Sequence, residues 1–191
     1  MTVEQLAAAV AADAQRSDAE TDSARRNQLA ADALGSAQAC LARAPQEAAC
    51  LYSHAIALGL QARAHPLQAN DALKSMLEAL GAAEAADAAY DQAGPARVKA
   101  LVLIKAPAWP LGPGDAEAGL TSARRAVELR PQYPPNVLAL AEALAKNGDT
   151  HGAEDAYRHA RELSQALPPS RDRDDWLREA DQALGRGSPP R

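Results

Sequence analysis

Phenylalanine is absent from the 191 residues of this chain, and aromatic residues of all kinds make up only 3%. A core without large rings must be filled by Leu, Ala, Val and Met, and small side chains fill space only where helices approach closely. The composition therefore reads as all-α. Apolar residues amount to 47%, which excludes wholesale disorder. No apolar run reaches the length of a membrane span, the densest being 100–104. The N-terminus also lacks a basic start followed by an apolar stretch. Export signals and lipid anchors are removed from mature proteins, so that absence does not argue for the cytoplasm. The net charge is −5, and no Lys/Arg stripe carries interspersed aromatics, so no nucleic-acid partner is expected. Phosphate loop, nucleophile elbow and paired-carboxylate motif are all missing. The chain is expected to be no enzyme and to need no cofactor.

What the chain does have is a period. Gly114-Asp115 and Gly148-Asp149 stand 34 residues apart, and small residues recur in phase around them, Gly119 with Ala153 and Ala126 with Ala160. A glycine in the turn supplies left-handed backbone, and small residues let the two helices of a unit come close. Between Pro134 and Gln165 the positions Val137, Leu140, Ala141, Leu144, Gly148, Asp149, Ala153, Tyr157 and Ala160 follow the tetratricopeptide consensus, and the chain resembles that family. Ala33, Ala37 and Cys40 lie at the same distances before Pro45 as Gly119, Ala123 and Ala126 before Pro131, marking an earlier unit. One such hairpin cannot bury its apolar face alone. Units must stack, which makes binding the default use.

The apolar spacing divides the chain into an N-terminal helix or frayed leader (1–22), a repeat domain of about three hairpins (23–167), and a capping helix with a loose tail (168–191). Helices are expected over 2–18, 23–42, 47–62, 67–87, 96–106, 115–129, 135–146, 150–165 and 171–184. Asp115 and Asp149 serve as N-caps, 90–95 is a break, and the polar tail starts at Gly185. Three prolines and two glycines between Ala106 and Asp115 force an ordered loop there.

Cys40 closes one expected helix and Cys50 opens the next, with Pro45 midway, so the thiols face each other across a hairpin turn. A Cys40–Cys50 disulfide implies an oxidising compartment, whereas two buried free thiols are the other reading. In tetratricopeptide register the concave wall is formed by Ala49, Tyr52, Ile56, Gly59 and Leu60, then by Lys99 and Leu103, then by Pro135, Leu138, Glu142, Ala145 and Lys146. Its first half is apolar, which suits a hydrophobic ligand or an amphipathic helix, including helices of the chain itself. The candidate ligand-binding residues are Tyr52, Ile56, Leu60, Met76, Leu80, Leu103 and Trp109, with His54 or Tyr52 for a polar head. His54 has a competing reading as a buried, hydrogen-bonded core residue. Trp109, between Pro107 and Pro110, either anchors a partner or folds inward to seal the bundle. Trp176 is expected to plug the last helix onto the array. His151, Asp155 and His159 share a helix face that the register turns to solvent, so no metal site is expected there.

Three stretches carry a more specific resemblance: 49–59 (ACLYSHAIALG), Gly94-Pro-Ala-Arg97 with the loop 105–115 (KAPAWPLGPGD), and 133–143 (YPPNVLALAEA). They resemble the T component of tripartite ATP-independent periplasmic (TRAP) transporters, including a related helical periplasmic component of bacterial sterol transport. The resemblance implies a periplasmic protein, membrane-anchored in some cases, that docks a substrate-binding protein and presents an apolar channel to a lipid or sterol-like ligand. Members of that family can be trimeric, so a homo-oligomer is compatible with it. The proline expected near residue 87 is missing, which predicts that the long helix runs on towards Tyr90.

Overall fold

The computed structural model describes residues 1–187. Among these, nine α-helices pack as antiparallel sequential pairs in a helical-hairpin arrangement. The contacts gather into two compact units, one of residues 1–90 with 108–113, the other of 91–107 with the chain from Gly114 onwards.

The first unit holds α1 (Val3–Ala19), α2 (Ser23–Arg43), α3 (Ala48–Ala64), a 3₁₀ turn at Pro66–Gln68, and α4 (Ala69–Ala86). Thr2 and Gln5 form a reciprocal capping box at the start of α1, and Asp22 Oδ1 accepts the Arg25 N–H at 2.7 Å to start α2. The N-terminal segment is thus a packed helix. Val10 joins Ala30, Ala33, Ala37, Ala57 and Leu60 in one cluster, while Leu6 packs with Cys40 and Cys50 in another. A polar seam also ties α1 to α3, with Arg63 donating to Ser17 Oγ at 2.7 Å and to Asp18 Oδ1 at 2.8 Å.

α3 lies against α1, α2 and α4, so it buries residues on two faces: Cys50, Ser53, Ala57 and Leu60 on one, Ala48, Ala55 and Ala62 on the other. α4 turns Met76, Leu80 and Ala83 inward. Its expected continuation towards Tyr90 does not occur. The helix stops at Ala86 because Asp87 captures the next backbone donors, its Oδ1 accepting from Ala89 at 2.9 Å and its carbonyl from Tyr90 at 3.2 Å.

The second unit comprises α5 (Tyr90–Lys105), of which Asp91 onwards belongs here, α6 (Ala116–Leu129), α7 (Pro134–Lys146), α8 (Thr150–Gln165) and α9 (Arg171–Gly187). The expected break is a left-handed turn: Asp91, Gln92 and Ala93 have φ of 48°, 56° and 63°. Regular helix follows from Gly94. Asp115 and Asp149 cap α6 and α8 through Oδ1 to the third backbone N–H beyond each, both at 2.9 Å. α7 ends in a Schellman turn with Gly148 at φ +84°, the Asp149 N–H bonding Leu144 O and the Gly148 N–H bonding Ala145 O.

Gly114 breaks the expected parallel with Gly148, since it is not left-handed. The carbonyl oxygens of Ala106 and Pro107 lie 2.2 and 2.8 Å from where its Cβ would stand, so glycine is required for close approach instead. At the other end, α9 continues through 185–187, where a loose tail was expected, and the remaining tail residues, 188–191, lie outside those described. Trp176 and Ala180 dock α9 onto Val137, Leu138 and Ala160, as the plug reading requires.

The small-residue seams are the packing principle of both units. Ala33, Ala37 and Cys40 of α2, and Ala123 and Ala126 of α6, are all 0% exposed. A Cβ at Gly119 would sit 2.5 Å from Ile104 Cγ2 and 3.3 Å from both Ala100 O and Leu103 Cβ. Ile104 is buried and β-branched, so it yields little. Gly119→Ala gains about 1 kcal/mol of helix propensity but incurs an overpacking penalty of about 1–3 kcal/mol, and a net loss of about 1 kcal/mol is expected in urea unfolding. A raised midpoint would show that the seam has slack.

Candidate functional site

The expected wall residues divide into three groups. Leu60, Met76 and Leu80 are buried in the first unit, Leu60 within the cluster of Val10 and the α2 alanines, and Met76 laid over Gly59 with Sδ and Cε 3.1 Å from the position of a Cβ there. Leu103 is buried in the second unit, beside Gly119. Tyr52 and Ile56 keep part of their surface, one turn apart on α3, with the Tyr52 ring edge-on to Tyr90 at 5.5 Å. The Tyr52–Ile56 stripe carries no charge until Arg63, two turns beyond Ile56 on the same face.

His54 does not share that stripe. At 3.6 residues per turn it lies roughly 160° around α3 from both Tyr52 and Ile56. Its Nδ1 is buried without a hydrogen-bond partner, contrary to the expected hydrogen-bonded core histidine. The residues one turn away, Cys50, Leu51, Ala57 and Leu58, supply no side-chain donor or acceptor suited to it. Burial lowers the imidazole's pKa from its ordinary value. The unfolded chain therefore takes up this proton first as the pH falls. The associated stability is complete above about pH 6.5 and is lost progressively below it, through the folded-state pKa. Chemical denaturation between pH 5 and 7 is expected to show a slope that His54→Gln reduces; an identical slope in that variant would assign it to other groups.

Trp109 takes the outward alternative. It is 87% exposed and Leu111 79%, at the tip of the proline-rich loop, whose Trp109–Pro110 peptide is cis. The tip folds on itself, with the Leu111 and Gly112 N–H groups donating to Ala108 O at 3.0 and 3.2 Å. The base is held where Gly114 N–H meets Pro107 O at 2.8 Å and Asp115 N–H meets Leu103 O at 2.9 Å.

Arg97 and Asn136, quoted above only as part of longer matching stretches, are the centre of a polar network. Arg97 Nη1 donates to Asp91 O, Gln92 O and Asn136 Oδ1 at 3.1–3.2 Å, and Nη2 to Asp91 Oδ2 at 2.9 Å. Its guanidinium lies 5.2 Å from the Tyr133 ring centroid, and Tyr133 meets Trp176 edge-on at 5.7 Å. Asn136 is 0% exposed and directs Nδ2 to Gln92 O, Ala126 O and Arg130 O at 3.0–3.2 Å. One amide thus joins the left-handed turn to the carbonyl end of α6. Burial raises the Tyr133 phenol's pKa, and the Arg97 charge opposes the rise.

Asn147 was also missed. Its Nδ2 bonds Ala143 O and Ala116 O, each at 2.8 Å, fastening the end of α7 to the start of α6. Of the concave-wall charges, Glu142 is paired with Lys105 at 2.9 Å. His151, Asp155 and His159 are exposed along α8, Asp155 bonding Arg158 Nη1 at 2.5 Å.

The Cys40–Cys50 disulfide is formed, both residues being 0% exposed. It points to an oxidising, extracytoplasmic compartment. No helix among the described residues is long and apolar enough to cross a membrane. No protein-family model matches the chain, and no curated protein matches it.

Proposed function

We propose that the protein is a non-enzymatic tetratricopeptide-like scaffold that works in the periplasm as a docking component of a transport assembly, beside a substrate-binding protein. The observation that carries this reading is the fate of the expected wall: Leu60, Met76, Leu80 and Leu103 are buried in the chain's own packing. What the chain offers to others is surface. The resemblance to TRAP T components gains support from the polar network, because two of its three matching stretches meet there, Gly94-Pro-Ala-Arg97 and Tyr133-Pro-Pro-Asn136.

A second reading, the relay of a lipid or sterol-like ligand, is favoured by the partly exposed apolar pair of Tyr52 and Ile56 on α3. The two separate when the purified protein is incubated with total bacterial lipid extract, re-isolated, and its bound lipid identified by mass spectrometry. No lipid class is expected to remain near one per chain. Retention of one class at that level, abolished by Ile56→Asp, would replace the scaffold with a carrier.

A further inference from the structure

We propose that Trp109 and Leu111 form a two-pronged anchor that fills an uncharged, apolar pocket on a partner protein. The proposal rests on the docking reading and names its contact. Trp109 and Leu111 are the large apolar side chains most exposed on one loop, at 87% and 79%, and a tryptophan ring alone can bury 150–250 Å². Prolines 107, 110 and 113 each fix φ, the tip is closed by bonds to Ala108 O, and the base is held at Pro107 O and Leu103 O. A ring displayed on a chain already ordered loses little freedom on binding, the condition under which a buried tryptophan becomes a dominant contact.

The chemistry of the stretch selects the occupant. From Ala106 to Gly114 there is no ionisable side chain, so the complementary surface must offer apolar area without a charge left unpaired against it. A bilayer fits less well. Stable membrane attachment by a small apolar insertion needs a second signal, usually basic residues drawn to an anionic leaflet, whereas this loop carries none and the chain has a net charge of −5. A rigid tip gains specificity against a shaped pocket and gains nothing comparable in fluid lipid.

The test uses the full chain with a photo-crosslinking residue at position 111, and a second version with it at Leu67, another fully exposed leucine, as the control for general stickiness. Each is irradiated in soluble periplasmic extract of the source organism. Any protein crosslinked from position 111 and not from 67 is then purified and titrated against the wild-type chain, Trp109→Ala, Leu111→Ala and Leu67→Ala. The expected result is a dissociation constant raised about thirty-fold or more by Trp109→Ala, raised less by Leu111→Ala, and unchanged by Leu67→Ala. Since both prongs are exposed, the variants keep the wild-type circular dichroism. A partner that binds Trp109→Ala as tightly as wild type overturns the anchor and leaves the docking reading standing. Absence of any specific partner, with a blue shift of tryptophan emission on neutral phosphatidylcholine vesicles that Trp109→Phe abolishes, overturns the anchor in favour of a bilayer. Neither a partner nor a shift removes both anchor and docking.

Discussion

Arg97→Ala is expected to lower stability by about 1.5–3 kcal/mol, the range for losing hydrogen bonds from a charged group in a partly buried network. Arg97 is 11% exposed at its side chain and satisfies four acceptors: Asp91 O, Gln92 O, Asp91 Oδ2 and Asn136 Oδ1. Water can replace it at the exposed Asp91 and Gln92 acceptors but less readily at the part-buried Asn136 Oδ1, while Asp91, Gln92 and Ala93 still hold left-handed conformations that disfavour L-residues by roughly 1–2 kcal/mol each. The guanidinium is what makes the turn tolerable. Arg97→Lys should therefore rescue poorly, because a point ammonium cannot reach acceptors spread around a planar fork or stack on Tyr133. Urea unfolding gives the magnitude, and hydrogen exchange over 88–97 should locate the loss. Stability within about 1 kcal/mol of wild type in Arg97→Ala would mean that the turn holds itself.

Removing the disulfide with Cys40→Ala and Cys50→Ala together is expected to destabilise by about 3 kcal/mol, the chain-entropy value for a loop this short. The bridge spans a sequence separation of 10 and lies under Leu6, with Val3 packed alongside. Reduction should be slow in the native protein and fast once α1 is displaced, because both sulfur-bearing residues are 0% exposed. Native and reduced chains should differ in mass by two hydrogens. A double variant as stable as wild type would show that α1 and the alanine seam suffice to close the hairpin.

How much of this was legible in the sequence depended on distance along the chain. The Asp115 and Asp149 caps, the buried small-residue seams and the Cys40–Cys50 pair rest on spacings within one hairpin or on the repeat of the same short spacing from one hairpin to another, and the structure bears them out. The outward Trp109 was one of two readings left open, since a loop sequence does not state which way its ring turns. His54 has two sequence readings, a core histidine and the holder of a ligand's polar head, and helical periodicity sets it off the Tyr52–Ile56 stripe. The roles of Arg97 and Asn136 were hidden because their partnership spans 39 positions and depends on three non-glycine residues adopting φ > 0. Propensity argues against that conformation, and only tertiary bonding overrides it.

The position of the disulfide also bears on the order in which the chain matures. Its two cysteines lie at the facing ends of α2 and α3, so the bridge needs nothing downstream of that hairpin in order to form. A polypeptide emerging N-terminus first into an oxidising space presents both thiols while α4 to α9 are still to come. The α2–α3 hairpin is thereby committed covalently at the earliest moment of biogenesis, and α4, the next helix to emerge, packs onto an α3 that can no longer part from α2.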